Sequence, residues 1–94
     1  MPRFAAKVDV NHAAIRDTLR QMGFTVLDTA RQGGFCDLVA MRHGRITLIE
    51  VKTHQSKRGT VRLTESQQAL IRDGWPLQVL STVDEAITWA QSER

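Results

Sequence analysis

An apolar strand sequence that is interrupted by an acid and a lysine lies in the middle of the chain: Ile46-Thr47-Leu48-Ile49-Glu50-Val51-Lys52. Because side chains alternate along a strand, Glu50 and Lys52 lie on the same face as the apolar residue Leu48. Burying a charge on such a face costs free energy unless the charge is paired or bound to a ligand. The pattern therefore marks Glu50 and Lys52 as candidate site residues.

The residues before this strand predict a hairpin that brings a second acid opposite Glu50. Residues 36–41 are apolar apart from Asp37 and predict a strand, and His43-Gly44 is a typical tight turn. A turn of two or four residues places Asp37 directly opposite Glu50, whereas a turn of three residues shifts the pairing by one. Opposed residues have Cβ atoms about 4.5–5.5 Å apart, and like charges there are destabilising. The hairpin therefore predicts a cation between the two acids.

Two facing carboxylates beside a lysine suit a divalent metal, which prefers oxygen ligands. Such a group is an apparatus for phosphodiester hydrolysis, in which Lys52 stabilises a developing charge or positions a water. The structural alternative is that Asp37 makes an ordinary hydrogen bond at the strand end. Glu50 and Lys52 would then form an exposed charge pair.

The flanking sequence predicts a mixed sheet flanked by helices, in the order α-β-β-β-α-β-α. The predicted elements are a helix over residues 10–22, strands over 24–29, 36–41 and 45–52, a helix from 65 that stops at 74, a strand over 77–80 and a last helix from 83. Asp9 or Asn11 is expected to cap the first helix. Capping-box sequences beginning at Thr64 and Thr82 open the other two. Trp75 and Trp89 are expected to anchor the late helices.

Composition predicts one globular domain over residues 1–94, because 41% of the 94 residues are hydrophobic and 24% are charged. Cys36 is the only cysteine, which excludes an internal disulfide and a cysteine-based zinc cluster. No apolar run approaches a membrane span or a signal peptide, so the expected location is the cytoplasm. A net charge of +3 and a pI of about 9.8 favour an anionic partner such as nucleic acid.

The acid at position 37, followed by Glu50-Val51-Lys52 at the end of a hairpin strand, resembles the PD-(D/E)xK nuclease superfamily. Roughly residues 9–87 are similar to the small stand-alone VRR-NUC domains of phages and bacteria, which are themselves similar to Holliday-junction resolvases. The likeness rests on these stretches: Asp9-Val10-Asn11, Gly33-Gly34, Ile49-Glu50-Val51-Lys52, Leu63-Thr64-Glu65-Ser66-Gln67-Gln68 and Thr82-Val83-Asp84-Glu85-Ala86. The resemblance implies an α/β fold with a restriction-endonuclease-like core.

The resemblance also implies roles for individual residues. Asp37, Glu50 and the carbonyl of Val51 would bind Mg2+ or Mn2+, and Lys52 would be the catalytic lysine. Gln67 would support the site from the following helix, and it is also the N3 position of a capping box, a role that does not exclude the first. The chain departs from the family pattern at Cys36, where proline is usual, and at Asn11-His12, where the first helix often carries a glutamate.

The leading hypothesis from the sequence is a Mg2+- or Mn2+-dependent endodeoxyribonuclease that acts on duplex or branched DNA as a homodimer, in a bacterium or a phage-infected cell. Four basic residues are expected to contact DNA phosphates: Arg31, Lys57, Arg58 and Arg62. A solvated charged loop is the structural alternative for them. The functional alternatives are a non-catalytic DNA-binding module of the same fold and a phage-type protein-interaction module.

Overall fold

A mixed four-stranded sheet organises the computed structural model, which describes residues 4–33, 35–52 and 63–93 and, over residues 4–10, the backbone alone. Within these ranges the elements are α1 (Phe4–Gln21), β1 (Thr25–Asp28), β2 (Leu38–Arg42), β3 (Arg45–Val51), α2 (Glu65–Arg72), β4 (Leu77–Leu80) and α3 (Val83–Ser92). This is the predicted order of elements. The predicted loop over residues 53–62 lies outside the described residues.

The strands lie in the order β1-β2-β3-β4, antiparallel between the first three and parallel between β3 and β4. The predicted α/β class with a mixed sheet is therefore confirmed. Because β3 and β4 are parallel, they end at the same edge of the sheet, where β1 also ends and β2 begins. We call this the carboxyl edge. The carboxyl ends of parallel strands are a common place for ligand sites in α/β proteins.

The hairpin between β2 and β3 has the predicted two-residue turn. His43 has φ 57° and Gly44 has φ 75°, which is the left-handed pair that matches the twist of two antiparallel strands. The register runs from Arg42↔Arg45 to Leu38↔Ile49, with the partner numbers that a two-residue turn predicts. The turn thereby fixes which side chains of β2 and β3 share a face.

The main core lies between one face of the sheet and the helices α1 and α3. Its buried members come from all three elements: Ile15, Leu19, Phe24, Val26, Leu38, Ala40, Ile49, Val51, Leu80, Ala86 and Ala90. Each fully buried leucine or isoleucine among them contributes roughly 1.5–3 kcal/mol relative to exposure. Phe24 stacks on Trp89 with ring centroids 5.2 Å apart, which confirms that Trp89 is a packing residue.

Arg42 joins the carboxyl ends of α1 and α3. Its guanidinium donates to the carbonyl of Met22 at 3.0 Å and to that of Ala90 at 2.7 Å, and it also bonds the carbonyl of Glu93. The same group lies 4.1 Å from the ring centroid of Phe24. The last carbonyls of a helix have no partner within the helix and carry partial negative charge, so a cation there is stabilising.

Several helix ends differ from the sequence-based expectations. α1 begins at Phe4, so neither Asp9 nor Asn11 caps it, and alanine-containing sequence extends it instead. The capping box at Thr64 is confirmed. At α3 the Thr82 side chain accepts from the Glu85 amide, but the Glu85 carboxylate accepts from Ser81 and not from Thr82.

The opposite face of the sheet is partly open. Leu27, Met41 and Ile46 are exposed there, whereas Leu48 and Glu50 are buried. Trp75 is 50% exposed, so the expectation that it anchors a helix is wrong. It follows Gly74, which ends the turn after α2 with φ 99°, and the chain leaves the helix without covering the ring. Among the described residues, the helices are too short or too polar to cross a membrane.

Candidate functional site

The carboxyl edge gathers the residues that the sequence marks as a site. Glu50 and Lys52 lie at the end of β3, on the open face of the sheet, as the register requires. Asp37 precedes β2 on the same edge, and Gln67 lies in the first turn of α2. The Lys52 amide donates to the Leu80 carbonyl at 3.1 Å, which extends the parallel pairing one step and fixes the backbone beneath the lysine.

The antiparallel pairing between β2 and β3 is interrupted at Asp37, where the sequence predicts a position directly opposite Glu50. Its amide donates to the Ile49 carbonyl at 3.0 Å, while its own carbonyl accepts from Thr29 at 2.9 Å. The amide and the carbonyl of one residue point to the same side in a regular strand, so this opposition marks a bulge. The predicted register is therefore confirmed as far as Leu38↔Ile49, and the prediction that Asp37 pairs directly opposite Glu50 is wrong, because the Asp37 amide bonds to Ile49 instead.

The Asp37 carboxylate completes the sheet in place of a main-chain group. Its Oδ2 accepts from the Val51 amide at 2.8 Å. In a continued ladder the carbonyl of Cys36 would take that amide, but it accepts instead from the Thr29 hydroxyl at 2.9 Å. The bulge thus replaces a backbone acceptor by a carboxylate and holds Asp37 at the end of β3. The structural reading of Asp37 as a strand-end hydrogen-bond acceptor is correct, and it keeps the carboxylate close to Glu50.

Glu50 is a buried acid, with 7% of the residue exposed, so the reading of an exposed charge pair does not apply to it. Its Oε2 lies 3.3 Å from the Lys52 ammonium. Its Oε1 is buried and has no hydrogen-bond partner among the described residues. Burial raises the pKa of Glu50, and the charge of Asp37 raises it further, against the opposing effects of Gln67 and Lys52. The carboxylate is therefore short of positive charge, which is the electrostatic situation a cation relieves.

Gln67 belongs both to the helix cap and to the site. Its side-chain Oε1 accepts from the Thr64 amide at 3.0 Å, and the Thr64 hydroxyl accepts from the Gln67 amide at 3.2 Å. The side chain is almost fully buried. Because the cap uses Oε1, the NH2 group is the end left to face Glu50, whose pKa it lowers.

The Val51 carbonyl is directed toward the same gap as the Asp37 carboxylate. The Val51 amide points to the Asp37 side of β3, since it donates to that carboxylate. In extended backbone the carbonyl of a residue points to the same side as its amide. This main-chain oxygen therefore lies on the same side of β3 as the Asp37 carboxylate.

The predicted DNA-contact residues are only partly described. Arg31 is exposed in the turns that follow β1. Lys57, Arg58 and Arg62 lie outside the described residues.

Sequence reasoning missed a buried histidine–aspartate pair at the same edge. His12 Nε2 lies 3.1 Å from Asp28 Oδ2, and His12 is 7% exposed. The signal was present, because His12 falls three and seven residues before the core residues Ile15 and Leu19 and hence on the buried stripe of α1. Its neighbour Asn11 donates to the Ser81 carbonyl at 2.7 Å, which ties α1 to the end of β4.

The described residues offer few side chains that could bind a metal. Within the described ranges no group of three or more His, Cys, Asp or Glu side chains is arranged to hold a metal. At the end of β3 the nearby oxygen atoms are those of the Asp37 and Glu50 carboxylates and the Val51 carbonyl. No protein-family model matches the chain, and no curated protein matches its sequence.

Proposed function

We propose that the protein is a metal-dependent DNA endonuclease with a restriction-endonuclease-like core of the VRR-NUC type. The observation that carries this proposal is the buried Oε1 of Glu50, which lacks a partner among the described residues beside a second carboxylate and a lysine. A buried acceptor without a partner costs about 1–3 kcal/mol, and more when it is charged. A cation bound beside Asp37 and Lys52 would satisfy this oxygen and recover that cost.

The residues fit Mg2+ or Mn2+. Asp37, Glu50 and the Val51 carbonyl would hold the ion, since all three are oxygen donors of the kind that hard divalent cations prefer. The ion would supply charge that polarises a backbone phosphate and lowers the pKa of water. Two protein carboxylates are an ordinary complement for such an ion at a phosphate site, where water and substrate provide the other ligands.

The protein side chains have separable tasks in phosphodiester hydrolysis. Lys52, whose side chain is 27% exposed, reaches from the buried acid toward solvent, where its ammonium stabilises negative charge developing on a phosphate. Gln67 holds Glu50 from the α2 side through its amide. Asp37 is fixed by the Val51 amide, so it requires little reordering when a ligand arrives.

DNA is the proposed substrate, in duplex or branched form. Arg31 at the carboxyl edge, together with Lys57, Arg58 and Arg62, would contact backbone phosphates. Junction-type substrates follow from the resemblance to resolvases and rest on that analogy. A homodimer would supply two sites for two strands, and the exposed apolar residues Leu27, Met41 and Ile46 support a self-contact.

The direct test is incubation of the protein with linear duplex, flap, Y-form and four-way junction DNA in Mn2+ or Mg2+. Cleavage that requires the metal and is lost in Lys52→Ala supports the proposal. If wild type and variant are equally inert on every substrate, the nuclease proposal is wrong. Molar mass from light scattering during gel filtration tests the dimer in the same preparation.

A non-catalytic DNA-binding module is the second candidate. Asn11-His12 stands where the resembled family often has a glutamate, and Asn11 is engaged with the Ser81 carbonyl. This candidate predicts salt-sensitive DNA binding that survives a chelator and Lys52→Ala, without any product. Metal-dependent cleavage by the wild type would eliminate it.

The α2 cap provides a matched pair of variants. Thr64→Ala and Thr82→Ala each remove one N-cap hydroxyl and are each expected to lower the free energy of unfolding by about 1 kcal/mol. Only Thr64→Ala is expected to lower the cleavage rate as well, because the Gln67 main-chain amide then loses its acceptor and the first turn of α2, which carries the Gln67 side chain, is held less firmly. Urea unfolding and initial rates measure the two effects, and equal rates in both variants would show that the cap does not position Gln67.

A further inference from the structure

A second polar cleft opens beside the candidate site, between α1 and the turns that follow β1. Its volume is about 510 Å³, and its polar lining comes from His12, Arg16, Asp28, Thr29, Arg31 and Gln32. Neither the metal-site residues nor the helix caps belong to it. Its charged side chains are two arginines and one aspartate, with the buried His12 behind them.

The aspartate of the cleft is already committed to neighbouring donors. Asp28 Oδ2 accepts from His12 and from Arg16, at 3.1 and 3.3 Å, and Oδ1 accepts from the Ala30 amide at 3.2 Å. Burial alone would raise the pKa of Asp28, but these three hydrogen bonds outweigh it and the pKa lies below its ordinary value. The carboxylate therefore stays ionised and orders the cleft wall.

The arginines keep donors for a ligand. Arg16 uses Nε for Asp17 at 2.9 Å and Nη1 for Asp28, so the acids of the described residues engage two of its five N–H groups. Arg31 lies at the exposed rim of the same cleft. Two guanidinium groups that converge on an open cleft are suited to a phosphate, which accepts paired hydrogen bonds from a planar fork.

The cleft lies next to the candidate metal site. The Thr29 amide of the cleft wall donates to the Asp37 carbonyl at 2.9 Å, and β1 is two strands from β3. Two strand spacings are about 10 Å. The cleft and the candidate metal site therefore lie close enough for one DNA strand to reach both within a few nucleotides.

We propose that this cleft binds a backbone phosphate of the substrate DNA, within a few nucleotides of the phosphate at Glu50, through Arg16 and Arg31. The proposal rests on the proposed function, which it deepens by assigning a second phosphate site on the same strand. It adds Arg16, on α1, to the basic residues expected from the sequence.

The test is the salt dependence of DNA binding, measured by fluorescence anisotropy in EDTA so that no cleavage intervenes. Arg16→Gln and Arg31→Gln are each expected to reduce the slope of log K against log salt by about 0.9. From 50 to 200 mM salt, each variant then loses roughly 3.5-fold less affinity than wild type. Arg45→Gln, which removes an equal charge at the far end of the hairpin, should keep the wild-type slope.

A second measurement locates the phosphate. Single methylphosphonate substitutions along the strand remove one charge at a time, and the one that fills the cleft should weaken wild type but not Arg31→Gln. Slopes equal to wild type in both cleft variants, with normal circular dichroism, would overturn the proposal even if cleavage is observed. Reduced slopes without any cleavage would support the cleft and overturn the nuclease.

Free inorganic phosphate is the alternative ligand that two arginines in this cleft could bind. Titration of inorganic phosphate is followed by NMR at the His12 ring. Saturation at low millimolar phosphate, together with an unchanged DNA slope in both variants, would assign the cleft to a free anion and overturn the DNA assignment.

Discussion

Replacing Glu50 with glutamine is expected to abolish Mn2+-dependent cleavage and to raise the melting temperature of the metal-free protein. The loss of rate should be at least roughly 10²–10³-fold, the scale seen when one group that stabilises a transition state is removed. The amide has the same shape but carries no charge to be buried. The amide also removes the repulsion between Glu50 and Asp37. This repulsion is the second cause of the raised pKa of Glu50, after burial.

The gain in stability follows from the cost of the buried charge. Glutamine loses the ion pair with Lys52, but a pair open to solvent on the lysine side contributes little. We expect a net gain on the order of 1 kcal/mol, as for other strained functional groups. For a domain of this size that is about 4–8 °C in melting temperature.

The difference in stability between the wild type and Glu50→Gln is expected to grow with rising pH. The ordinary pKa of Glu50 is 4.5, and the folded state raises it. Above pH 4.5 the unfolded chain releases a proton that the folded protein still holds, so the contribution of Glu50 to stability falls with rising pH. The fall ends once the pH passes the raised pKa. Glu50→Gln lacks it, so the advantage of the variant should grow over that window and then stay constant.

Thermal unfolding and cleavage assays check this prediction. Thermal unfolding is followed from pH 4 to 8 in EDTA, then with added Mn2+, which should stabilise the wild type and leave Glu50→Gln unchanged. Asp84→Asn, an equal charge change at an exposed position, should give no gain in melting temperature. A metal-free Glu50→Gln protein that melts below wild type would show that the buried charge is well compensated, and undiminished cleavage would remove Glu50 from the site.

Arg42→Met is expected to produce a large loss of stability, about 3 kcal/mol, at a partly exposed position. Hydrogen bonds to a charged donor contribute about 1.5–3 kcal/mol, and a cation over an aromatic ring adds about 0.5–1 kcal/mol. The variant leaves the terminal carbonyls of α1 and α3 without that donor. Arg42 Nε is buried without a partner among the described residues, which offsets part of the gain in the wild type.

Arg42→Lys and Arg45→Met make the effect specific. Lysine keeps the charge but not the planar fork, so we expect it to recover less than half of the loss. Arg45 is exposed directly opposite Arg42 in the hairpin, and because an exposed charged side chain contributes at most about 1 kcal/mol, its replacement should cost far less than Arg42→Met. Urea unfolding measures these values, and amide exchange should accelerate first at the ends of α1 and α3. A loss below 1 kcal/mol in Arg42→Met would contradict the role assigned to Arg42.

The features that sequence predicted correctly are those fixed by neighbouring residues. His43-Gly44 dictates a two-residue turn, and the turn dictates the register from Arg42 to Leu38. The capping box at Thr64 is equally local. Because side chains alternate along β3, the position of Glu50 and Lys52 on the same face of the sheet also follows from their spacing of two residues.

The features that sequence did not predict depend on distant partners. The bulge at Asp37 arises because a carboxylate and a threonine hydroxyl compete with main-chain groups for the same hydrogen bonds. The periodicity of α1 marks His12 as buried, but its partner Asp28 lies beyond a helix end, a turn and a strand, and no local pattern pairs the two. The exposure of Trp75 depends on how the chain turns after α2, which hydrophobicity does not specify.

The bond between the Val51 amide and Asp37 has an evolutionary consequence. Under the proposed function, a descendant without catalysis would still be under selection to keep the aspartate, because its side chain closes the end of the sheet. Glu50 has no such protection, since a neutral residue in its place would make the fold more robust. If the proposed function is correct, homologues of this chain that keep the glutamate are expected to be active, whereas those that keep the aspartate alone are not.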